Sequence, residues 1–253
     1  ALGNADQMVP ANSPSGTRHQ PFAHVASQIH AWRVSRGCFM DGLTHFEKRF
    51  SSLSTYEQRN PELVRRLLEL LCRGQSVSLV GEGGSGKTTI LRQLLDKEFM
   101  QRSGVKSESF LIAGVIGEDI VAATPETFWT ELLLPQLSRL LQPVDSKLSQ
   151  QVLSLPDEMG MVRLAVGEIF FRIQQKGLRA LIVWDDFDWV RENSSLDLSF
   201  FGFLRSLAML WEVTYLVSGN EPIQRTLAWN AKTSPFDNIF DSYTLSLGAS
   251  TNA

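Results

Sequence analysis

With 253 residues, 43% hydrophobic and 20% charged, the chain has the composition of a soluble globular protein and is long enough to bury the core of one large domain or two small ones. Its 24 basic and 27 acidic side chains leave a net charge of −3, which argues against a broadly basic nucleic-acid surface and leaves room only for a local patch. No stretch approaches 18 apolar residues and the N-terminus lacks the order of a signal peptide, so the expectation is a cytoplasmic protein without a membrane span.

The chain does not begin with Met and reads as a fragment of a longer one. Residues 1–20 are rich in Asn, Ser, Pro and Gly and read as a disordered arm or linker. His19 and His24 have no Cys or carboxylate cluster beside them and read as solvated. Residues 21–54 turn aromatic, with Phe22, Trp32, Phe39, Phe46 and Phe50, and Ala23 to Arg33 fits a short amphipathic helix. This segment reads as an extension packed on the adjoining domain, or as the tail of an upstream domain. Cys38 and Cys72 lack metal-ligand spacing and read as buried free thiols.

A single domain is expected over residues 55–253. Asn60-Pro61-Glu62 is a cap, a first-turn Pro and an acid, opening a helix whose apolar face is Leu63, Val64, Leu67, Leu68 and Leu71 and which stops at Gly74. Val77 to Val80 is a strand, and a helix runs from Lys87 with Ile90, Leu91, Leu94, Leu95 and Phe99 inward. A second strand is expected over Ser109 to Val115. Thr124-Pro125-Glu126 opens a helix that Pro135 should kink or split. Residues 143–160 read as a surface loop with at most a helical turn. Met161 to Lys176 is a helix, and Ala180 to Trp184 a buried parallel strand. A helix over Phe200 to Leu210, a strand over Val213 to Val217, a short helix over Ile223 to Trp229 and a last strand over Tyr243 to Leu247 complete the pattern. Trp129, Trp184, Trp189, Trp211 and Trp229 read mostly as core packing. Alternating strands and helices predict an α/β fold of three layers, a mainly parallel sheet covered on both faces.

Between the first strand and its helix lies Gly81-Glu82-Gly83-Gly84-Ser85-Gly86-Lys87-Thr88, which fits the phosphate-loop pattern GxxxxGK[ST] at every defined position. Glycines allow the backbone to approach phosphate oxygens without Cβ clashes, and the amides opening a helix favour anions. Lys87 is assigned to the β- and γ-phosphates, Thr88 to Mg²⁺, and Thr89 to the polar lining of the loop. Ligands of such sheets bind beyond the carboxyl ends of the strands. Asp185 and Asp186 end the apolar strand in the manner of a Walker B motif: Asp185 is assigned to Mg²⁺ and Asp186 to orienting or deprotonating the attacking water, against the alternative of a helix N-terminal acid pair. Ser218-Gly219-Asn220 ends the next strand, and Asn220 is either a γ-phosphate sensor or part of a plain turn. Arg59, just ahead of the first domain helix, is either a base and ribose contact or a surface ion-pair residue.

The run of a helix, GEGGSGKTT, a strand, TPETFW, LIVWDDFDWV, a strand ending in SGN, and SPFDNIF before a final strand resembles the AAA+/STAND branch of P-loop NTPases over residues 55–247. The resemblance implies an ATP- and Mg²⁺-dependent switch or assembly module that hydrolyses slowly and self-associates or engages other protein domains. The lid of the class looks absent, and there is no Arg or Lys after Lys232, where an arginine finger would stand; Arg205 and Arg225 do not fill that slot. Competing readings are an AAA+ ATPase acting on DNA, of loader or transposition and replication type, and a P-loop kinase.

Overall fold

The computed structural model describes residues 43–51, 60–154, 159–227 and 235–246. Arg59, Trp229, Cys38, His19, His24 and the helix expected over Ala23 to Arg33 lie outside these. Among the described residues five parallel strands form one sheet: β1 (Ser76–Val80), β2 (Phe110–Ile116), β3 (Arg179–Asp185), β4 (Thr214–Gly219) and β5 (Phe240–Thr244), in the order β2-β3-β4-β1-β5. The three interior strands are almost wholly buried, and their sequences are correspondingly apolar over most of their length.

Alternate residues of each strand feed opposite faces of the sheet. On one face Leu111, Ala113, Val115, Ile182, Trp184, Tyr215 and Val217 join the larger core cluster. Its helices are α5 (Leu134–Leu141), α6 (Ser146–Leu153), α7 (Met159–Gln175) and α8 (Leu198–Trp211). On the other face Val77, Leu79, Leu181, Val183 and Leu216 pack against α1 (His45–Ser51), α2 (Pro61–Cys72), α3 (Lys87–Leu95) and α4 (Lys97–Arg102).

The local signals work as their chemistry dictates. Asn60 Oδ1 accepts from the Leu63 amide at 3.1 Å and opens α2. Thr124 and Thr127 form a reciprocal capping box. The helix expected to kink or split at Pro135 is divided beside it: the chain runs as a π-helix over Phe128–Leu133 and returns to α-helix at Leu134, and this wider turn lies just ahead of the residue that has no N–H to donate.

Four expectations need correction. Residues 146–153 form the two-turn helix α6, capped by Asp145 and burying Leu148 and Val152, in place of the expected loop. The last strand lies at Phe240–Thr244 rather than at Tyr243 to Leu247, the last of which is outside the described residues; among the described residues β5 pairs only with β1 and needs no long apolar run. Cys72 is half-buried, and burial pushes its thiol pKa up. Trp129 and Trp184 are core residues, but Trp211 is half-buried and Trp189 is exposed.

Edge strand β2 is closed at Gly114. The Gln136 amide donates to the Gly114 carbonyl at 2.6 Å and accepts from its N–H at 3.0 Å, standing in for a neighbouring strand. Gly114 also lets Phe46 of α1 onto the sheet, since a Cβ there would fall 2.5 Å from Phe46 Cζ and 2.7 Å from the Val183 carbonyl. Gly114→Ala is therefore expected to destabilise by about 1–3 kcal/mol in urea unfolding. The loss should shrink when Phe46→Ala is already present, because the two changes share one contact.

Candidate functional site

The site lies where β1, β3 and β4 end side by side. The register pairs Val80 with Gly219 and Trp184 with Val217, so the loop after β1, the acids after β3 and the turn after β4 meet without long-range bending. The Gly81 amide continues the ladder by donating to the Gly219 carbonyl at 3.1 Å. A Cβ at Gly81 would meet Ser85 Oγ at 2.6 Å and the Leu245 carbonyl at 2.8 Å, so this position requires glycine. Gly84 and Gly86 take left-handed φ values of 79° and 97°, which turn the loop over the start of α3.

Lys87 is buried, and its ammonium meets three oxygens: the Gly81 carbonyl at 2.6 Å, the Glu82 carbonyl at 3.2 Å and Asn220 Oδ1 at 3.1 Å. These acceptors match its three N–H donors. Asn220 thus reaches Lys87 from the end of β4, and the two are brought together. Thr88 Oγ1 donates to Asp185 Oδ2 at 3.4 Å. Thr89 is half-buried on the first turn of α3, and Glu82 and Gly83 are exposed on the outer loop.

Asp185 has no solvent exposure. Burial pushes its carboxyl pKa up, and the neighbouring Asp186 charge adds to this; the Ser218 hydrogen bond, Arg49 and Thr88 act in the opposite direction. The Ser218 hydroxyl donates to Asp185 Oδ1 at 2.5 Å and accepts from the Asp186 amide at 3.1 Å, tying both acids to β4. Asp186 takes a left-handed conformation (φ 59°), one that Asp tolerates better than most residues, and its carboxylate is partly open to solvent. Asp188 turns the other way. Its carboxylate accepts from the Asn220 amide at 2.5 Å and from the Glu221 amide and Thr226 Oγ1 at 3.4 Å, bracing the turn that carries Asn220. A Cβ at Gly219 would lie 3.0 Å from Asp188 Oδ1, so a side chain there would press on the brace.

Three contributors carry no distinct signal in the sequence. Ser218 reads there only as part of a strand end, and Asp188 stands unmarked in the run LIVWDDFDWV. Arg49 stands in α1, with Nε 3.2 Å from Asp185 Oδ2 and Nη2 3.3 Å from Asp186 Oδ2. The one sequence clue to its placement is the spacing of Phe46 and Phe50, both buried, which fixes the face of α1 turned to the sheet.

The donor set fits a Mg²⁺–nucleotide. Ser85 Oγ is buried within the loop with no partner, and Gly83 and Gly84 have open space where a Cβ would stand. The first amides of α3 have no carbonyl four residues back to donate to. Among the described residues no cluster of three His, Cys, Asp or Glu side chains forms a metal cage. Mg²⁺ bound by a hydroxyl, one carboxylate, waters and phosphates needs none.

Comparison with known families matches residues 59–214 to the AAA ATPase domain. No curated protein matches the chain. Among solved structures, the Aeropyrum pernix ORC2 protein in its ADPNP-ADP complexes aligns with a TM-score of 0.53 at 15% identity, covering 81% of this chain and 52% of that one. Its ADP form aligns with a TM-score of 0.54, again at 15% identity, covering 81% of this chain and 53% of that one. This chain thus spans about half the length of the structures it resembles, and the likeness is one of fold.

Ser218→Ala removes the hydroxyl that serves both acids and leaves the Asp186 amide without its acceptor. It is expected to cost about 1–3 kcal/mol in urea unfolding, the penalty of stranding buried polar groups.

Proposed function

We propose, from the premise that this chain belongs to the AAA ATPase domain family, that it is a slow ATPase whose nucleotide state switches its assembly, in the manner of STAND proteins. The observation that carries the reading is the meeting of Lys87 with Asn220 and of Thr88 with Asp185 around one glycine loop. On this reading the loop amides from Gly81 to Thr89 and Lys87 hold the triphosphate, and Asn220 contacts its terminal phosphate beside Lys87. Thr88 and Asp185 would hold Mg²⁺, which when bound would neutralise phosphate charge. Asp186, more open to solvent than Asp185, orients the attacking water. Arg59 is proposed as a base and ribose contact. The adenine nucleotides named for the ORC2 structures agree with ATP as the ligand.

Slow turnover is proposed because no Arg or Lys stands between Lys232 and β5, the stretch where an arginine finger is expected. Arg225 is exposed on the short helix α9 (Ile223–Thr226) and Arg205 is half-buried on α8, and neither touches the acid pair. A cytoplasmic, signal-transducing role is part of the proposal. Among the described residues no helix is long and apolar enough to cross a membrane.

Lys87→Ala is expected to abolish ATP binding in calorimetry. Asp186→Asn should keep binding while turnover falls by about 10²–10⁴-fold, the usual worth of a positioned base. Light scattering should show ATP raising the mass of the wild type and leaving Lys87→Ala unchanged. An unchanged wild-type mass would remove the switch, and turnover stimulated by added DNA would favour an ATPase that acts on DNA.

A further inference from the structure

The acid pair at the end of β3 has a cation of its own, and it comes from outside the segment matched to the family. Arg49 precedes residue 59, where that match begins. Its guanidinium faces both carboxylates, with Nε on Asp185 Oδ2 at 3.2 Å and Nη2 on Asp186 Oδ2 at 3.3 Å. The Asp185 oxygen it uses is also the one that accepts from Thr88 Oγ1 at 3.4 Å. Arg49 therefore stands on the carboxylate that, with Thr88, would hold Mg²⁺.

The helix that delivers Arg49 is fixed by other means. Phe46 and Phe50 are buried against the sheet face, with ring centroids 4.7 Å apart. Glu47 takes Arg139 of α5 in a two-point ion pair, at 3.1 Å to Nε and 2.5 Å to Nη2. His45 Nδ1 meets Asp119 Oδ1 at 2.6 Å. Arg92 of α3 donates to the Arg49 carbonyl at 3.4 Å. The backbone of Arg49 thus stays in place whether or not its guanidinium remains on the acids. The side chain is 32% exposed, so it has solvent to turn into.

We propose that Arg49 is a built-in competitor of Mg²⁺: it neutralises Asp185 and Asp186, lowers the Mg²⁺ affinity of the nucleotide site, and swings off the acids when a Mg²⁺–nucleotide seats. The inference rests on the ATPase reading and adds the regulation of that same site. Its first ground is charge. A divalent ion and a guanidinium on one carboxylate oxygen repel strongly where that oxygen has no access to water. Its second ground is linkage. If Arg49 weakens Mg²⁺ binding, Mg²⁺ must weaken the Arg49 ion pair by the same factor. Its third ground is geometry. A guanidinium is a planar fork suited to two acceptors at once, and here the two acceptors are the metal-holding and water-orienting acids.

The test is calorimetric titration of ADP into wild type, Arg49→Gln and Arg49→Lys, over a series of Mg²⁺ concentrations and in EDTA. Arg49→Gln should lower the Mg²⁺ concentration needed for half-maximal enhancement of ADP binding by about tenfold, within the usual range of coupling between sites. Its ADP affinity in EDTA should stay near that of the wild type. Arg49→Lys keeps the charge but loses the fork, and its Mg²⁺ requirement should fall between those of the wild type and Arg49→Gln, with ADP affinity in EDTA near that of both. An unchanged or raised Mg²⁺ requirement in Arg49→Gln overturns the proposal, as does an equal shift in both arms, which marks a structural ion pair. Should Arg49→Gln fail to fold, the wild type supplies the answer through its Arg49 Nε–H resonance, assigned by its loss in Arg49→Lys. That resonance should shift on adding Mg²⁺ with ADP and hold on adding ADP in EDTA. A resonance indifferent to Mg²⁺ and ADP together overturns the proposal. If the wild type binds ADP in neither arm, the ATPase reading itself falls, and this inference with it.

Discussion

The carboxylate of Asp185 lies where water does not reach it, and an ionised group so placed persists only where the protein answers it with hydrogen bonds and countercharge. The answer is drawn from across the molecule: a hydroxyl from β4, a hydroxyl from α3 and a guanidinium from α1. This one requirement explains why the strand order matters. With β4 beside β3 and β1 beside β4, Ser218 and Thr88 arrive at Asp185 from adjacent strand ends. An order that moved β4 or β1 away from β3 would separate those hydroxyls from the acid.

The two halves of the site differ in how they are made. The phosphate half is local: eight consecutive residues between one strand and one helix, with glycines where the backbone turns left-handed and Lys87 folded back onto carbonyls five and six residues earlier. The acid half is assembled from distant segments, with contacts spanning 97 residues from Thr88 and 137 from Arg49. A local site is preorganised by its own loop, whereas an assembled one responds to whatever shifts the pieces. In this molecule the responsive half holds the two carboxylates and the guanidinium that faces them.

That difference also sets how much is legible in the sequence alone. The glycine loop is legible because its geometry is written in contiguous residues, and the acids because they stand at the end of an unmistakably apolar strand. Asn220 is only half legible. Its place at a strand end shows in the sequence, but its approach to Lys87 depends on β4 lying beside β1, a pairing that no local pattern encodes. Arg49 is not legible, since nothing around it signals a partner far along the chain. The helix α6 hides behind Ser and Gln, which carry little helical periodicity, although Asp145 and the four-residue step from Leu148 to Val152 mark it. The edge strand β5 is displaced from its expected place because Asp241 and Ser242, both exposed, interrupt any alternating pattern.

The exposed indole of Trp189 has a practical consequence. It sits in the same turn as Asp186, three residues on, and leans on Gly117, where any side chain would run into its ring and into the Asp186 carbonyl. Trp129 and Trp184 are sealed in the core, and Trp211 is half-buried on α8. An indole 44% open to solvent senses polarity and collisional quenchers as buried ones cannot. Its emission therefore gives the acid pair an intrinsic optical reporter, and rearrangement around Asp186 can be followed in solution without attaching a dye.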